Sequence, residues 1–422
     1  MIRRFLRILL MTAVPVAGAA NAAGVSAGVA SGRTAVQQAV VIRAGTLIDG
    51  RGGVRRDVAI VVESGRIARL ERGDAVAATY DLSRFTVLPG LIDTHVHMES
   101  HFGRDGRASN QGESPAERVL HAAENAWVTL MAGFTTVQSI GSPSDLELRA
   151  ALARGVLPGP RLLTSVTPVT ESTGSPEQIR EHVRNVVARG ADLVKVFASK
   201  SIREGGGQTL TDDQIGAACD EARKLGRRTW VHAHAASAAR AASLAGCTAV
   251  THGSQVTDAE LALMVERGTF FEPNIGLVSQ SYIENRDRYL GIGNYDEQGF
   301  RFMEEGIALK LTMFRRVLGH PGLMLLAGTD AVAGAHGQNA REVIYRVQVA
   351  NQSPMAAILS ITSVAARALG MADRIGAIAP GMEADIIGVD GDPLQDISSL
   401  ARIVFVMRGG VVVRRTGAST RQ

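Results

Sequence analysis

Two textures of hydrophobic pattern divide the chain. Near the start, short apolar runs with Gly-rich turns between them mark strands at Ala39–Arg43, Val58–Val62 and Arg66–Leu70. The same texture returns at the end, at Ala384–Val389, Ile403–Met407 and Val411–Arg415. In between, apolar strand-like runs alternate with amphipathic stretches. The runs lie at Phe134–Ser139, Arg161–Val166, Leu193–Phe197, Thr229–His232, Ala249–His252, Thr269–Glu272 and Leu323–Ala327, and an eighth precedes His95. Helical patterns cover Ser114–Ala132, Pro176–Arg189, Thr211–Leu225 and Ala236–Ala245; several start with Ser or Thr followed by Pro or Asp, a helix-start signal. Eight strand–helix units in the middle predict an α/β fold, a (β/α)₈ TIM barrel over residues 88–377. The two β-rich flanks, 36–87 and 378–415, predict one small composite β-sandwich domain.

The first residues follow different rules. Arg3, Arg4 and Arg7 precede an apolar run from Ile8 to Ala20, and Ala20-Asn21-Ala22 fits a small-residue cleavage site. This predicts a signal peptide over 1–22, a Ser/Gly/Ala linker over 23–35, and an exported protein, periplasmic or secreted. The run is short for a membrane span, so a membrane anchor is the lesser reading. The paired arginines hint at twin-arginine export, but the motif around them is incomplete. The formal charge of +4 drops to +1 once the three leader arginines are gone, so charge gives no reason to expect a nucleic-acid or membrane partner. Two cysteines, Cys219 and Cys247, do not make a disulfide framework, and two buried free thiols are the expectation.

Candidate chemistry collects at strand ends, where barrels carry their active sites. In Leu88-Pro-Gly-Leu-Ile-Asp-Thr-His-Val-His97, His95 and His97 are two apart on a strand and project to one side, so they can hold one divalent metal. Lys195 stands inside Leu-Val-Lys-Val-Phe in a chain with only four lysines. A buried ammonium is costly unless it is paired or neutralised. It can be a nucleophile, be carboxylated by CO₂ to an anionic carbamate, or snorkel to the rim. His232 and His234 repeat the two-residue spacing, one as ligand and the other beside it or on the substrate. His252 ends the sixth strand. Asp330, in Gly-Thr-Asp, either caps a turn or binds metal and takes a proton from water. Ser100 and His101 follow the first ligand pair, and His336 follows Asp330 in a Gly-rich loop; these three are candidates for substrate contact or for hydrogen bonding to a ligand. His121 and His182 fall on helices and read as surface residues. Gly205-Gly-Gly207 is a loop over the mouth that lacks the Gly-Lys-Ser/Thr of a phosphate site.

The motifs Pro89–His97, Val194-Lys-Val196, His232-Ala-His234, Thr251-His-Gly253, Gly328-Thr-Asp330 and Ile378–Asp385 together resemble the metal-dependent amidohydrolase superfamily, over about residues 38–413. Within it the chain resembles the branch of imidazolonepropionase, Xaa-Pro and other Xaa-amino-acid dipeptidases, and most of all the ochratoxin-hydrolysing amidohydrolases. The resemblance implies two divalent metals, zinc, with His95, His97 and Asp330 on one, His232 and His252 on the other, and a carboxylated Lys195 bridging them. It implies hydrolysis of an amide between an acyl or aromatic group and a C-terminal, hydrophobic amino acid, with ochratoxin A as the leading substrate. A Xaa-Pro or general dipeptidase is the alternative, a cyclic-amide hydrolase comes third, and a non-catalytic metal- or solute-binding protein is the reading from another class. Barrels of this type often assemble, so a homo-oligomer is expected. One departure matters: the Gly-Gly-His segment of many dipeptidases is replaced by Thr167–Gly174, which has no His and leaves room for a bulkier acyl group.

Overall fold

The computed structural model describes residues 39–109 and 111–415. The leader (1–22) and linker (23–35) lie outside the described residues. Among the described residues the strands run in chain order as β1 (Val40–Ile48), β2 (Val54–Glu63), β3 (Arg66–Arg72), β4 (Tyr80–Pro89), β5 (Leu91–Val96), β6 (Phe134–Ser139), β7 (Arg161–Thr164), β8 (Leu193–Phe197), β9 (Arg228–Ala233), β10 (Ala249–His252), β11 (Phe270–Glu272), β12 (Ile386–Val389), β13 (Ile403–Arg408) and β14 (Val411–Arg415). Among the described residues, no helix is long and apolar enough to cross a membrane.

The two flanks combine in one hydrogen-bonded sheet, whose β3 edge also bonds the chain just before β12, through Arg66 to Glu383 and Ala384 N to the Gly65 carbonyl. Its order is β14-β13-β12-β4-β1-β2-β3. β4 lies parallel to β1 and antiparallel to β12, so the two ends of the chain meet in the middle of the sheet. Apolar side chains alternate onto both of its faces: Ile42, Ile60, Leu82 and Phe405 pack on one side, while Val41, Ala59 and Val61 form a smaller cluster apart from them.

The middle of the chain forms two parallel sheets, β5-β6-β7 and β8-β9-β10-β11, with helices between successive strands. Single parallel bridges link them, Val169 to Val196, Phe271 to Leu325 and Ala331 to Val96. The expected strand Leu323–Ala327 is not a regular one. The chain there bonds β11 first, through Phe271 N to the Met324 carbonyl and Leu326 N to the Phe271 carbonyl. It then changes partner to β5, through Asp330 N to the His95 carbonyl at 2.7 Å and His97 N to the Ala331 carbonyl. Switching neighbours midway leaves too few bonds on either side for a ladder.

The helices start where their caps dictate. Ser114, Ser175 and Thr211 each accept from the third helical amide, while Glu117, Gln178 and Gln214 reach back to the cap amide. Helices Asp212–Lys224 and Ala236–Leu244 pack side by side, and this overturns one expectation. Cys219 and Cys247 are not free thiols but a disulfide, with Cα atoms 5.2 Å apart. Two cysteines make no framework on their own, and the neighbouring helix face that pairs them is not legible in the sequence. The bond closes a loop with a sequence separation of 28. Replacing both cysteines with Ala should cost about 3–4 kcal/mol of stability, read from the urea midpoint. An unchanged midpoint in the double variant and under reductant would mean the bond is not formed.

Candidate metal centre and active site

β4 runs through Pro89 and Gly90 straight into β5, so the terminal sheet delivers the first candidate ligands. Gly90 has no room for a side chain: a Cβ there would lie 2.2 Å from the Thr135 hydroxyl. His95 and His97 emerge at the end of β5, as the two-residue spacing requires. His95 Nδ1 lies 2.7 Å from Glu272 Oε1, and its Nε2 lies 3.2 Å from Asp330 Oδ1. His97 Nε2 is 3.0 Å from the same oxygen. With Nδ1–H given to Glu272, the lone pair of His95 Nε2 faces the Asp330 carboxylate, an arrangement satisfied by a shared cation or proton. Asp330 itself has φ +56°, and His252 has φ +71°. Both are non-glycine residues held in the left-handed region, a form of strain that clusters at functional sites.

A second group stands opposite, where His232, His234 and His252 offer ring nitrogens within 4.8 Å of one another. His232 Nε2 donates to the Lys200 carbonyl at 3.3 Å, leaving Nδ1 with its lone pair. His234 Nδ1 meets Ser254 Oγ at 2.8 Å. Burial, reinforced by Lys195, pushes His232 down to about 3; burial and the neighbouring imidazoles hold His234 and His252 well below the ordinary range. All three rings are therefore neutral, the form that binds metal. Either His232 or His234 can complete a site with His252. Burial pushes the Asp330 carboxyl up, but the imidazoles of His95 and His97 more than reverse this and hold it well below the usual carboxylate range.

Lys195, on β8, is fully buried, and its Nζ has no hydrogen-bond partner. Burial brings its amine down to about 8, against the pull of Asp330 and Glu272. It faces the same cavity of about 330 Å³ as His95, His97, His232, His234, His252, Asp330 and Ser100. Two metal-capable groups and one partnerless amine on one cavity are a donor set that suits divalent metal ions.

The other candidates are distributed unevenly. Ser100 lines the cavity and accepts from Ala333 N at 3.0 Å. His336 stands behind it, with Nε2 donating to the Ser100 carbonyl at 3.2 Å, and burial brings the ring down to about 4. His101 points elsewhere. Its Nδ1 lies 2.7 Å from the Glu99 carbonyl, its Nε2 2.9 Å from Glu113, and its ring stacks on His121. His101, Glu113 and His121 could hold an ion, but both nitrogens of His101 are already engaged.

Several residues that build the site were not singled out from the sequence. Glu272, at the end of β11, orients His95 and accepts from Thr94 Oγ1 and from Trp230 Nε1 at 3.2 Å. Gly328 is glycine because that carboxylate fills its Cβ position, 2.3 Å from Glu272 Cδ. Asp93 accepts from Thr329 N and Oγ1, Asn339 Nδ2 and His95 N, and so ties β5 to the Gly-Thr-Asp turn. Burial still lifts its carboxyl to about 6. The available signal was an acid at a strand end or inside an apolar strand, where a charge is expensive without a task. Glu272→Gln should keep the fold and lower metal affinity or activity about 10–100-fold, measured by chelator competition and turnover. Full affinity in that variant would separate Glu272 from the metal centre.

Comparison with known proteins gives this geometry a family. The amidohydrolase family pattern matches residues 86–413. An ochratoxinase of Aspergillus niger is 25% identical over 434 residues, covering 89% of this chain and 87% of the relative. Among solved structures, a Xaa-Pro dipeptidase with bound methionine in its active site aligns with a TM-score of 0.80 at 28% identity, over 89% of this chain and all of that one. The A. niger ochratoxinase structure aligns with a TM-score of 0.77 at 22% identity, over 91% and 97% of the two chains, a likeness of fold. The chain belongs to the amidohydrolase family and is a hydrolytic enzyme.

Proposed function

We propose a binuclear metal-dependent amidohydrolase on a (β/α)₈ barrel that releases a C-terminal, hydrophobic amino acid from a bulky acyl group. Ochratoxin A, cleaved to phenylalanine and the dihydroisocoumarin acid, is the leading substrate. The observation that carries the reading is Lys195: a buried amine with no hydrogen-bond partner, sharing one cavity with two groups of metal-capable side chains. A carbamate on Lys195 would turn the misfit amine into an anionic ligand. His95, His97 and Asp330 would hold one zinc, His232 and His252 the other, with the carbamate between them. The barrel is supported by the three single parallel bridges that join the two sheets at both ends.

The metals, when bound, lower the pKa of water and polarise the scissile carbonyl. The chain supplies the rest. Asp330, held anionic by two imidazoles, takes the proton of the attacking water and returns it to the leaving nitrogen. Glu272 fixes the tautomer of His95, and Ser254 orients His234. A bulky acyl group is supported by a second cavity of about 710 Å³ that shares His97 and Ser100 with the first and continues past Glu99, Arg118 and Pro143. The missing Gly-Gly-His segment points the same way. The 28% identity to a Xaa-Pro dipeptidase favours dipeptide hydrolysis as the second reading. The disulfide supports export to an oxidising compartment, periplasmic or secreted.

The test is metal content of the purified protein together with phenylalanine release from ochratoxin A. We expect two zinc per chain and release of phenylalanine. Release from Xaa-Pro dipeptides alone would transfer the substrate to the second reading. No bound metal, and no hydrolysis on adding zinc, would leave the proposed centre without support.

A further inference from the structure

The cavity carries positive charge that the metal chemistry does not use. Arg203 sits in the 3₁₀ turn Ile202–Glu204, in the loop that follows β8, and lines the cavity. Its guanidinium carbon lies 4.1 Å from the centre of the Tyr295 ring and 5.4 Å from that of Tyr282. Its Nε donates to Asn294 Oδ1 at 2.8 Å, and Asn294 is itself held by Glu204. The side chain is thus clamped by stacking and by neutral partners, Asn294 and the Tyr282 hydroxyl. Lys310, buried on helix Glu297–Val317, lines the same cavity and donates to two neutral groups, the Asn274 carbonyl and Ser279 Oγ, both at 3.2 Å. Among the described residues, neither cation forms an ion pair, and the one carboxylate lining the cavity, Asp330, is taken by His95 and His97.

A half-buried guanidinium beside a buried ammonium, neither with a counter-ion, is a site where an arriving anion gains more than it would in open water. The guanidinium fork matches a carboxylate edge to edge, and it is already oriented. Val278, Met303 and Val332 line the cavity beside it and give an apolar side chain somewhere to sit. We infer that Arg203, assisted by Lys310, binds the free α-carboxylate of the departing amino acid and makes the enzyme select acids over their C-terminal amides. This rests on the proposed amide hydrolysis. It also sets the substrate's direction: the amino acid lies in the smaller cavity with its carboxylate on Arg203, and the acyl group lies in the larger cavity past His97.

The experiment compares N-benzoyl-L-phenylalanine with N-benzoyl-L-phenylalaninamide on the full chain loaded with zinc. For wild type we expect kcat/KM to favour the acid by about 100-fold or more, the scale of a buried charge pair. Arg203→Met should erase that preference by raising KM for the acid with little change in kcat, and should leave the amide almost untouched. Arg203→Lys, which keeps the charge but loses the fork, should fall in between and guards against a folding defect in the Met variant. Equal use of acid and amide by wild type, or an unchanged preference in both variants, would overturn the assignment. Calorimetric binding of L-phenylalanine against L-phenylalaninamide gives the same comparison without turnover. Discrimination that depends on Arg203, with no hydrolysis of any amide, would keep this inference and discard the proposed reaction; hydrolysis without discrimination would do the reverse.

Discussion

Asp330→Asn lowers kcat by about 10²–10⁴-fold, the contribution of a positioned proton acceptor, while fold and substrate binding survive. Asn is nearly isosteric and is among the few residues that accept φ +56°, so the turn, with its amide on the His95 carbonyl, is kept. What is lost is the charge. The oxygen that faces both His95 Nε2 and His97 Nε2 becomes part of a neutral amide, unable to take a proton. Turnover should therefore fall far more than KM, and thermal stability should change little. Metal content measured in the same samples by atomic emission separates a lost base from a lost ligand. Full turnover in this variant would remove Asp330 from the mechanism.

Lys195→Ala is expected to lower activity by more than about 100-fold, beyond what losing an outer hydrogen-bond partner costs. Stability should move the other way. The wild-type amine is fully buried and partnerless, so Lys195→Met, which keeps the volume without the polar atom, should leave the metal-free protein as stable or more so. A structural lysine would give the opposite pattern, losing stability and sparing activity. Carboxylation needs the neutral amine, and burial sets its pKa at about 8. At constant dissolved CO₂, reactivation of metal-free, decarboxylated enzyme should therefore speed up as pH rises through about 8 and then level off. Reactivation indifferent to both CO₂ and pH would argue against the carbamate.

How far the sequence carried can be judged residue by residue. β6, β8 and β10 were legible to their ends because each is a short strand-like run set between helical patterns, and the helix starts were legible because Ser114, Ser175 and Thr211 bring their partners three residues on. The histidines stood out because polar residues at strand ends are few and the two-residue spacing is a local property. Glu272 was missed because its partner, His95, is 177 positions away, and no local pattern records such a meeting. The disulfide and the divided bonding of residues 324–331 were missed for the same reason: each is decided by which element lies next door. For His101, nearness in the chain to His97 says little, because the loop turns its ring toward Glu113.

The groups suited to metal come from strand ends spread over the whole middle of the chain, whereas Val278, Ser279, Tyr282, Tyr295, Met303 and Lys310 of the cavity wall all come from one excursion between β11 and the Gly-Thr-Asp turn. That wall can therefore vary without touching the groups suited to metal, whereas Arg203 and the larger cavity past His97 lie outside it. A laboratory exchange of residues 278–310 between relatives should retune the fit of the side chain in the smaller cavity and leave metal binding intact.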